Sequence, residues 1–257
     1  MQERLDQILR SLHIHPAISL CLDYDGTLVP IQSRPELCWL SPSQKDLLRV
    51  LATHPKVRVS IVTGRSLEDI EQRVGIPEII YAANHGLEIQ GLHQGFQIAR
   101  AAHIRESLQR LSPPLEKILQ LVAGCWVEDK GLSATVHFRG VMESDIPRVS
   151  NAVEDYMIHW PEFIIRNGKS VLEIRPRVDW NKSHAVRWIG ENAFPDFREP
   201  LVIFSGDDVT DHDVFRELPS AMTIQVGDCH ACSARCCVSD PGELWQFLQD
   251  VADTLQD

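Results

Sequence analysis

Four apolar runs in this chain stop abruptly at clusters of polar residues. "AISLCLD" ends at Asp23, and "VRVSIVTGR" ends at Thr63, Gly64 and Arg65. "IIYAANHG" ends at Asn84 and His85, and "LVIFSGDD" ends at Asp207 and Asp208. Runs that are apolar nearly throughout suit the strands of a parallel sheet covered on both faces. Helix signals lie around them. Leu5, Ile8, Leu9 and Leu12 recur at helical spacing, which predicts a short amphipathic helix at the start of the chain. Ser41, Pro42 and Gln44 read as N-cap, first-turn proline and capping-box glutamine. Ser66 caps the next helix and Gly75 ends it. This rhythm predicts an α/β fold with a doubly wound parallel sheet. Ligands of such sheets sit at the carboxyl ends of the strands, where all four polar clusters fall.

The middle of the chain breaks the rhythm. Residues 101–121 look helical, followed by "CWVEDKGLSATVHFRG", a second helical stretch over 145–160, and "FIIRNGKSVLEIRP". Here the strands alternate. Leu132, Ala134, Val136 and Phe138 share one face, and Ser133, Thr135, His137 and Arg139 share the other. Asn167-Gly168 predicts a two-residue hairpin turn. The pattern is helix-strand-strand twice over, an antiparallel sheet with helices on one face and a polar face opposite. It predicts an inserted α+β domain at 101–177, within a core made of 1–100 and 178–257.

Composition narrows the partners. The 257 residues are 44% hydrophobic and 24% charged, and the net charge is -11. No lysine- or arginine-rich stretch offsets that charge, which argues against a nucleic-acid partner. No run approaches the roughly 18 apolar residues of a membrane span. The first twenty residues lack the apolar centre of a signal peptide. A cytoplasmic protein without a membrane partner is the expectation. The seven cysteines show no disulfide-framework spacing, which suits a reducing compartment. In "GDCHACSARCCVSD", Cys229, His230, Cys232, Cys236 and Cys237 come close to zinc-ligand spacing. Cys236 and Cys237 fall in what reads as a strand, where neighbours point opposite ways, so thiols are expected rather than a metal site.

Asp23 and Asp25, two positions apart at a strand end, need something to offset their repulsion. A divalent cation does so, and Asp207 and Asp208 from another strand end complete an oxygen-rich group suited to Mg²⁺. Asp211, at the start of a helix, orients the metal or its waters. With the charge offset, Asp23 can attack phosphorus as a nucleophile. Asp25 can protonate the leaving oxygen and then deprotonate water. Thr63 and the backbone of Gly64 and Arg65 can hold phosphate oxygens, and Lys182 can neutralise developing charge. Singly, Asp-Gly is a turn and Thr-Gly-Arg a strand-to-helix corner. Together, in the order Asp, Thr, Lys, Asp-Asp and all at strand ends, they point to phosphoryl transfer.

This order of motifs resembles the haloacid dehalogenase-like phosphatases. "DYDGTLVP", "TGR", "NHG", "VEDKGLSATVHFR", "VLEIRP", "NKSHA" and "GDDVTDHDVF" are similar, within them, to the trehalose-6-phosphate phosphatase family. The resemblance implies a Rossmann-like core with an inserted cap, Mg²⁺ as cofactor, and an aspartyl-phosphate intermediate. It implies Asp23 as nucleophile and Asp25 as acid/base. Metal contacts carry over to Asp23, the backbone carbonyl of Asp25, and Asp207, with Asp208 and Asp211 in the same acidic group. Phosphate contacts carry over to Thr63, Gly64 and Lys182. Arg65, Asn84 and His85 are candidate substrate contacts, and sugar contacts carry over to Glu128, Lys130, Arg139 and Glu173. The implied substrate is a small sugar phosphate, trehalose 6-phosphate first, with a sucrose- or glucosylglycerol-type phosphate as the alternative. The resemblance also allows a functional pairing with a trehalose-6-phosphate synthase. Thr63 stands where the family usually has Ser, Phe138 where it has Tyr, Ser183 where Gly is common, and His212 where Glu is usual. An ion pump is disfavoured by Asp25, and a catalytically dead homologue by the presence of Asp23, Asp25 and Asp207.

Overall fold

The computed structural model describes residues 2–194, 196–197, 199–228 and 233–256. The chain divides into two compact units, Met1–Phe96 with Trp180–Asp257, and Gln97–Asp179. The first unit opens with α1 (Gln2–Ile14), β1 (Ile18–Leu22), α2 (Pro42–Thr53), β2 (Val57–Val62), α3 (Leu67–Val74), β3 (Ile80–Ala83), β4 (Glu88–Gln90) and β5 (Phe96–Gln97). The second unit holds α4 (Ala101–Leu119), β6 (Trp126–Asp129), β7 (Ala134–His137), α5 (Ile146–Met157), β8 (Phe163–Gly168) and β9 (Val171–Pro176). The chain then returns to the first unit through α6 (Lys182–Asn192), β10 (Leu201–Gly206), α7 (His212–Glu217), β11 (Met222–Val226), β12 (Cys236–Val238) and α8 (Pro241–Gln256).

The first unit's sheet runs β12-β11-β10-β1-β2-β3-β4-β5. Its first six strands are parallel and β4 is antiparallel to β3. Every residue of β1 is buried, which explains its unbroken apolar run. Leu20 and Leu22 pack with Ile8 and Leu12 of α1 and Phe247 and Val251 of α8. Cys21, one step out of phase, packs with Ala185, Val186 and Ile189 of α6 on the other face. Helix ends follow local chemistry. Ser41 and Gln44 form a reciprocal capping box, Ser66 accepts from Asp69 N–H, and Gly75 takes the left-handed conformation that closes α3.

In the second unit the strands run β6-β7-β9-β8, all antiparallel. The β8–β9 turn is a correction to the sequence reading. Asn167 and Gly168 are paired within the ladder, opposite Leu172 and Val171. The turn lies at Lys169-Ser170, and Ser170 takes the positive φ of 64°. Cross-strand pairing decides between the two. The observed register sets Ile165 against Ile174 and Arg166 against Glu173. A turn at Asn167-Gly168 would instead oppose Arg166 to Lys169 and Glu162 to Glu173, replacing the Arg166–Glu173 pair by two like-charge pairs.

Cys229, His230 and Cys232 lie outside the described residues. Cys236 is buried on β12 with its Sγ donating to Thr223 C=O at 3.5 Å, whereas its neighbour Cys237 is disulfide-bonded. That corrects the expectation of a thiol at Cys237 and takes its sulfur out of any metal site. Among the described residues no helix is long and apolar enough to cross a membrane.

Candidate active site

Asp23 leaves the sheet directly after β1, the strand held between β10 and β2. Its N–H donates to Ser205 C=O at 2.9 Å, so the parallel ladder runs one step further and fixes the backbone. The buried carboxylate accepts from Thr27 Oγ1 at Oδ2, 3.0 Å, and from Lys182 Nζ at Oδ1, 2.7 Å. Lys182 is the first residue of α6. Asn181 caps that helix by accepting from the N–H groups of Ser183 and His184, and this aims the lysine at the strand ends. Lys182 Nζ also donates to Asp211 Oδ1 at 2.7 Å. The other oxygen of Asp211 accepts the N–H groups of Asp207 and Asp208, at 3.1 and 3.0 Å, just past β10.

One carboxylate oxygen from each of Asp23, Asp207 and Asp211 lies within 4.8 Å of the others. Asp25 and Asp208 do not join that group among the described residues. Two like charges about 4 Å apart repel by roughly 4 kcal/mol at an effective dielectric constant of about 20. Burial pushes the Asp23 carboxyl well above the usual carboxylate range, and Asp211 and Asp207 push the same way against the pull of Lys182. Burial alone would lower Lys182, but Asp211 and Asp23 outweigh it and hold the ammonium charged. The ammonium donates to two of the three carboxylates, Asp23 and Asp211, and with Asp207 the group presents three hard oxygen donors. That donor set fits a divalent cation such as Mg²⁺. Gly26 lets the group close up. With φ at 84°, it stands where an added Cβ would lie 2.2 Å from Asp207 Oδ2.

Thr63 follows β2 at the same edge and is buried, its Oγ1 accepting Arg65 N–H at 3.2 Å. The turn is laced to the next motif, since His85 N–H donates to Thr63 C=O and Asn84 N–H to Arg65 C=O. Asn84 and His85 both take positive φ, 49° and 59°. The imidazole sits so close that a Cβ on Gly64 would meet it at 2.6 Å. Thr63, Gly64, Arg65, Asn84 and His85 therefore form one group. Asn84 Nδ2 donates to Glu88 within it.

The Arg65 guanidinium is turned to protein carboxylates. Nε and Nη2 donate to the two oxygens of Asp25 at 2.7 and 2.6 Å, and Nη1 donates to Asp69 at 2.6 Å. Arg73 Nε donates to both oxygens of Asp69. The chain Asp25–Arg65–Asp69–Arg73 was not visible in the sequence, because Arg65 and Asp25 are 40 residues apart. Burial tends to raise the Asp69 carboxyl, but hydrogen bonds from Arg73 and Arg65 outweigh it and hold it below the usual range. Gln225 was also missed. It is a buried amide in the apolar strand β11, and its Nε2 donates to Asp207 C=O at 3.1 Å.

In the second unit, Glu128, Thr135, Glu173 and Arg166 stand in one row across β6, β7, β9 and β8. Lys130 Nζ approaches Glu128 at 3.8 Å, and Arg175 pairs with Glu173. Arg139 lies past the end of β7, its Nη2 donating to Lys169 C=O at 3.2 Å. The structure thus groups Glu128 with Lys130, and sets Arg139 near the β8–β9 turn.

Residues 21–237 match the family model for trehalose-phosphatase. A probable trehalose-phosphate phosphatase H of Arabidopsis thaliana is 29% identical over 98% of this chain, which spans 77% of that protein. The trehalose-phosphate phosphatase of Mycobacterium tuberculosis H37Rv is 32% identical over 91% of this chain, which spans 61% of its length. A solved trehalose-6-phosphate phosphatase related protein superposes with a TM-score of 0.80 at 26% identity, covering 91% of this chain and 97% of its own. The chain, with its strand-end carboxylates and lysine, belongs to the trehalose-phosphatase family.

Proposed function

We propose that this chain hydrolyses trehalose 6-phosphate to trehalose and inorganic phosphate through a phosphoenzyme on Asp23. The observation that carries the reading is the buried Asp23 carboxylate, held at a central strand end by Lys182 and Thr27 beside Asp207 and Asp211. A carboxylate oxygen of Asp23 attacks phosphorus while the bond from phosphorus to the sugar oxygen breaks. Asp25 gives its proton to that leaving oxygen. Asp25 then takes a proton from water as the water oxygen attacks phosphorus, and the bond to Asp23 breaks to release phosphate.

Asp23, Asp207 and Asp211 would hold Mg²⁺, joined by the backbone carbonyl of Asp25 as the family resemblance implies. A bound Mg²⁺ supplies charge neutralisation on the phosphoryl oxygens. Lys182 adds fixed positive charge, and Thr63 with the Gly64 backbone positions phosphate oxygens. Both carboxylate oxygens of Asp25 accept from Arg65. Delivering a proton requires its carboxyl to exchange Arg65 for the leaving oxygen. Glu128, Lys130, Arg139 and Glu173 supply sugar recognition from the second unit, since hydroxyls both donate and accept.

Phosphate release across a panel of sugar phosphates tests the reading. Trehalose 6-phosphate is expected to exceed sucrose and glucosylglycerol phosphates in kcat/KM. Activity is expected to vanish with a chelator and return with Mg²⁺. Asp23→Asn should abolish turnover and any acid-stable phosphoenzyme. A mutant that keeps more than a few per cent of the rate overturns the nucleophile assignment, and a different preferred sugar overturns the substrate.

A further inference from the structure

One ring on the polar face of the second unit has no part in the chemistry above. His137 ends β7, and its Nε2 lies 2.8 Å from Oε2 of Glu128. An ionised carboxylate only accepts, so the imidazole donates from Nε2. The ring also stacks on Trp126, with centroids 3.9 Å apart and planes 8° from parallel. Trp126 is the direct cross-strand partner of His137, and Glu128 lies two residues further along β6 on the same face. The imidazole is thus fixed by the ladder, by the indole and by the carboxylate. Its side chain is 13% exposed, against 29% for Glu128. Lys130 approaches the same Oε2 at 3.8 Å. A glutamate side chain is free to occupy many rotamers, and ordering it before substrate arrives removes that cost from binding.

We propose that His137, clamped between Trp126 and Glu128, is a positioning residue for sugar specificity that holds the Glu128 carboxylate where it reads a sugar hydroxyl. This deepens the reading above and rests on Glu128 as a sugar contact. The contrasting reading is an ordinary ion pair that merely stabilises the β6–β7 hairpin. The two differ in what they disturb: a hairpin prop lowers stability and all substrates together, whereas a positioning residue affects the sugar phosphate alone.

The test is a double-mutant cycle on the full chain with Mg²⁺. His137→Ala, Glu128→Ala and the double variant are assayed on trehalose 6-phosphate and on p-nitrophenyl phosphate, with melting temperatures alongside. Loss of a charge-assisted hydrogen bond should lower kcat/KM for trehalose 6-phosphate by about ten- to a hundredfold in Glu128→Ala. His137→Ala should lower it by about fivefold or more, and the double variant should be no worse than Glu128→Ala. Hydrolysis of p-nitrophenyl phosphate should stay within about twofold in His137→Ala. His137→Gln, which keeps an N–H near the position of Nε2, should recover most of the loss. Additive losses in the double variant overturn the proposal, as does a parallel fall on both substrates or a failure of His137→Gln to rescue. A Glu128→Ala variant with undiminished trehalose 6-phosphate activity overturns the sugar reading of Glu128, and that failure is distinct from additivity at His137.

Discussion

Gly26 shows how one missing Cβ shapes the acidic group. Its φ of 84° and the 2.2 Å approach to Asp207 Oδ2 mean that Gly26→Ala must move either the turn or the carboxylate. The left-handed conformation alone costs a non-glycine residue about 1–2 kcal/mol. Displacing Asp207 should matter more, raising the Mg²⁺ concentration for half-maximal activity at least about tenfold if one charge-assisted contact is lost. A metal titration of activity unchanged from wild type would show that Asp207 does not serve the cation. Asp69 gives a second prediction, on stability. Because Arg73 and Arg65 hold its carboxyl below the usual range, its contribution is complete above about pH 4 and fades as pH falls through the folded-state value. Asp69→Asn should cost about 1.5–3 kcal/mol at pH 7, and the gap to wild type should close in acid. Urea denaturation at pH 7, 5 and 3 reads this directly, and a gap that widens in acid contradicts it. The strand-end carboxylates Asp23 and Asp207 were legible in the sequence because each ends an apolar run. Gln225 and His137 were not, because their partners Asp207 and Glu128 become neighbours only once strands pair and loops fold back, whereas Asp69 lies four positions from both Arg65 and Arg73 and was within reach of the helical spacing.

The same division between local and distant signals holds among the elements. The Ser41 capping box, the Ser66 cap and the Gly75 stop were readable because each involves residues within about four positions of one another. The central strands were readable from their burial on both faces. The order of the sheet was not, since nothing local in β10 states that it lies beside β1. The β8–β9 hairpin is the instructive miss. Asn167-Gly168 is a strong turn signal, yet setting Arg166 against Glu173 and not against Lys169 goes with a turn two residues further on. The cost falls on Ser170, a non-glycine residue at φ 64°. Ser170→Gly should therefore stabilise the protein by about 0.5–1 kcal/mol, after allowing for the greater freedom of glycine in the unfolded chain. Chemical denaturation would register this as a higher midpoint at unchanged slope. A lower midpoint would mean that the register, and with it the row containing Glu128 and Glu173, is set differently.

At the scale of the molecule, the two units follow from where the chain leaves and re-enters the parallel core. Phe96 and Trp180, the residues bounding the inserted unit, stack with centroids 4.4 Å apart and planes at 15°. Trp180 Nε1 donates to Gly86 C=O at 2.8 Å, and Phe96 also meets Trp188 on α6 at 5.5 Å. Exit and entry points are thus fastened side by side by contacts within the first unit alone. Joining them through a short linker costs little, since each doubling of a flexible loop changes closure by only about 0.6 kcal/mol. The groups assigned to phosphoryl transfer, Asp23, Asp25, Thr63, Lys182, Asp207 and Asp211, all belong to this unit. Replacing residues 97–179 by a short Gly-Ser linker should leave a protein that unfolds cooperatively. It should keep slow, Mg²⁺-dependent hydrolysis of p-nitrophenyl phosphate and lose its preference for trehalose 6-phosphate. Calorimetry and phosphate release on the two substrates decide the matter. A truncated chain without a cooperative transition would show that the core depends on the insertion for folding. One that still prefers trehalose 6-phosphate would place sugar recognition in the core and remove it from Glu128, Lys130, Arg139 and Glu173.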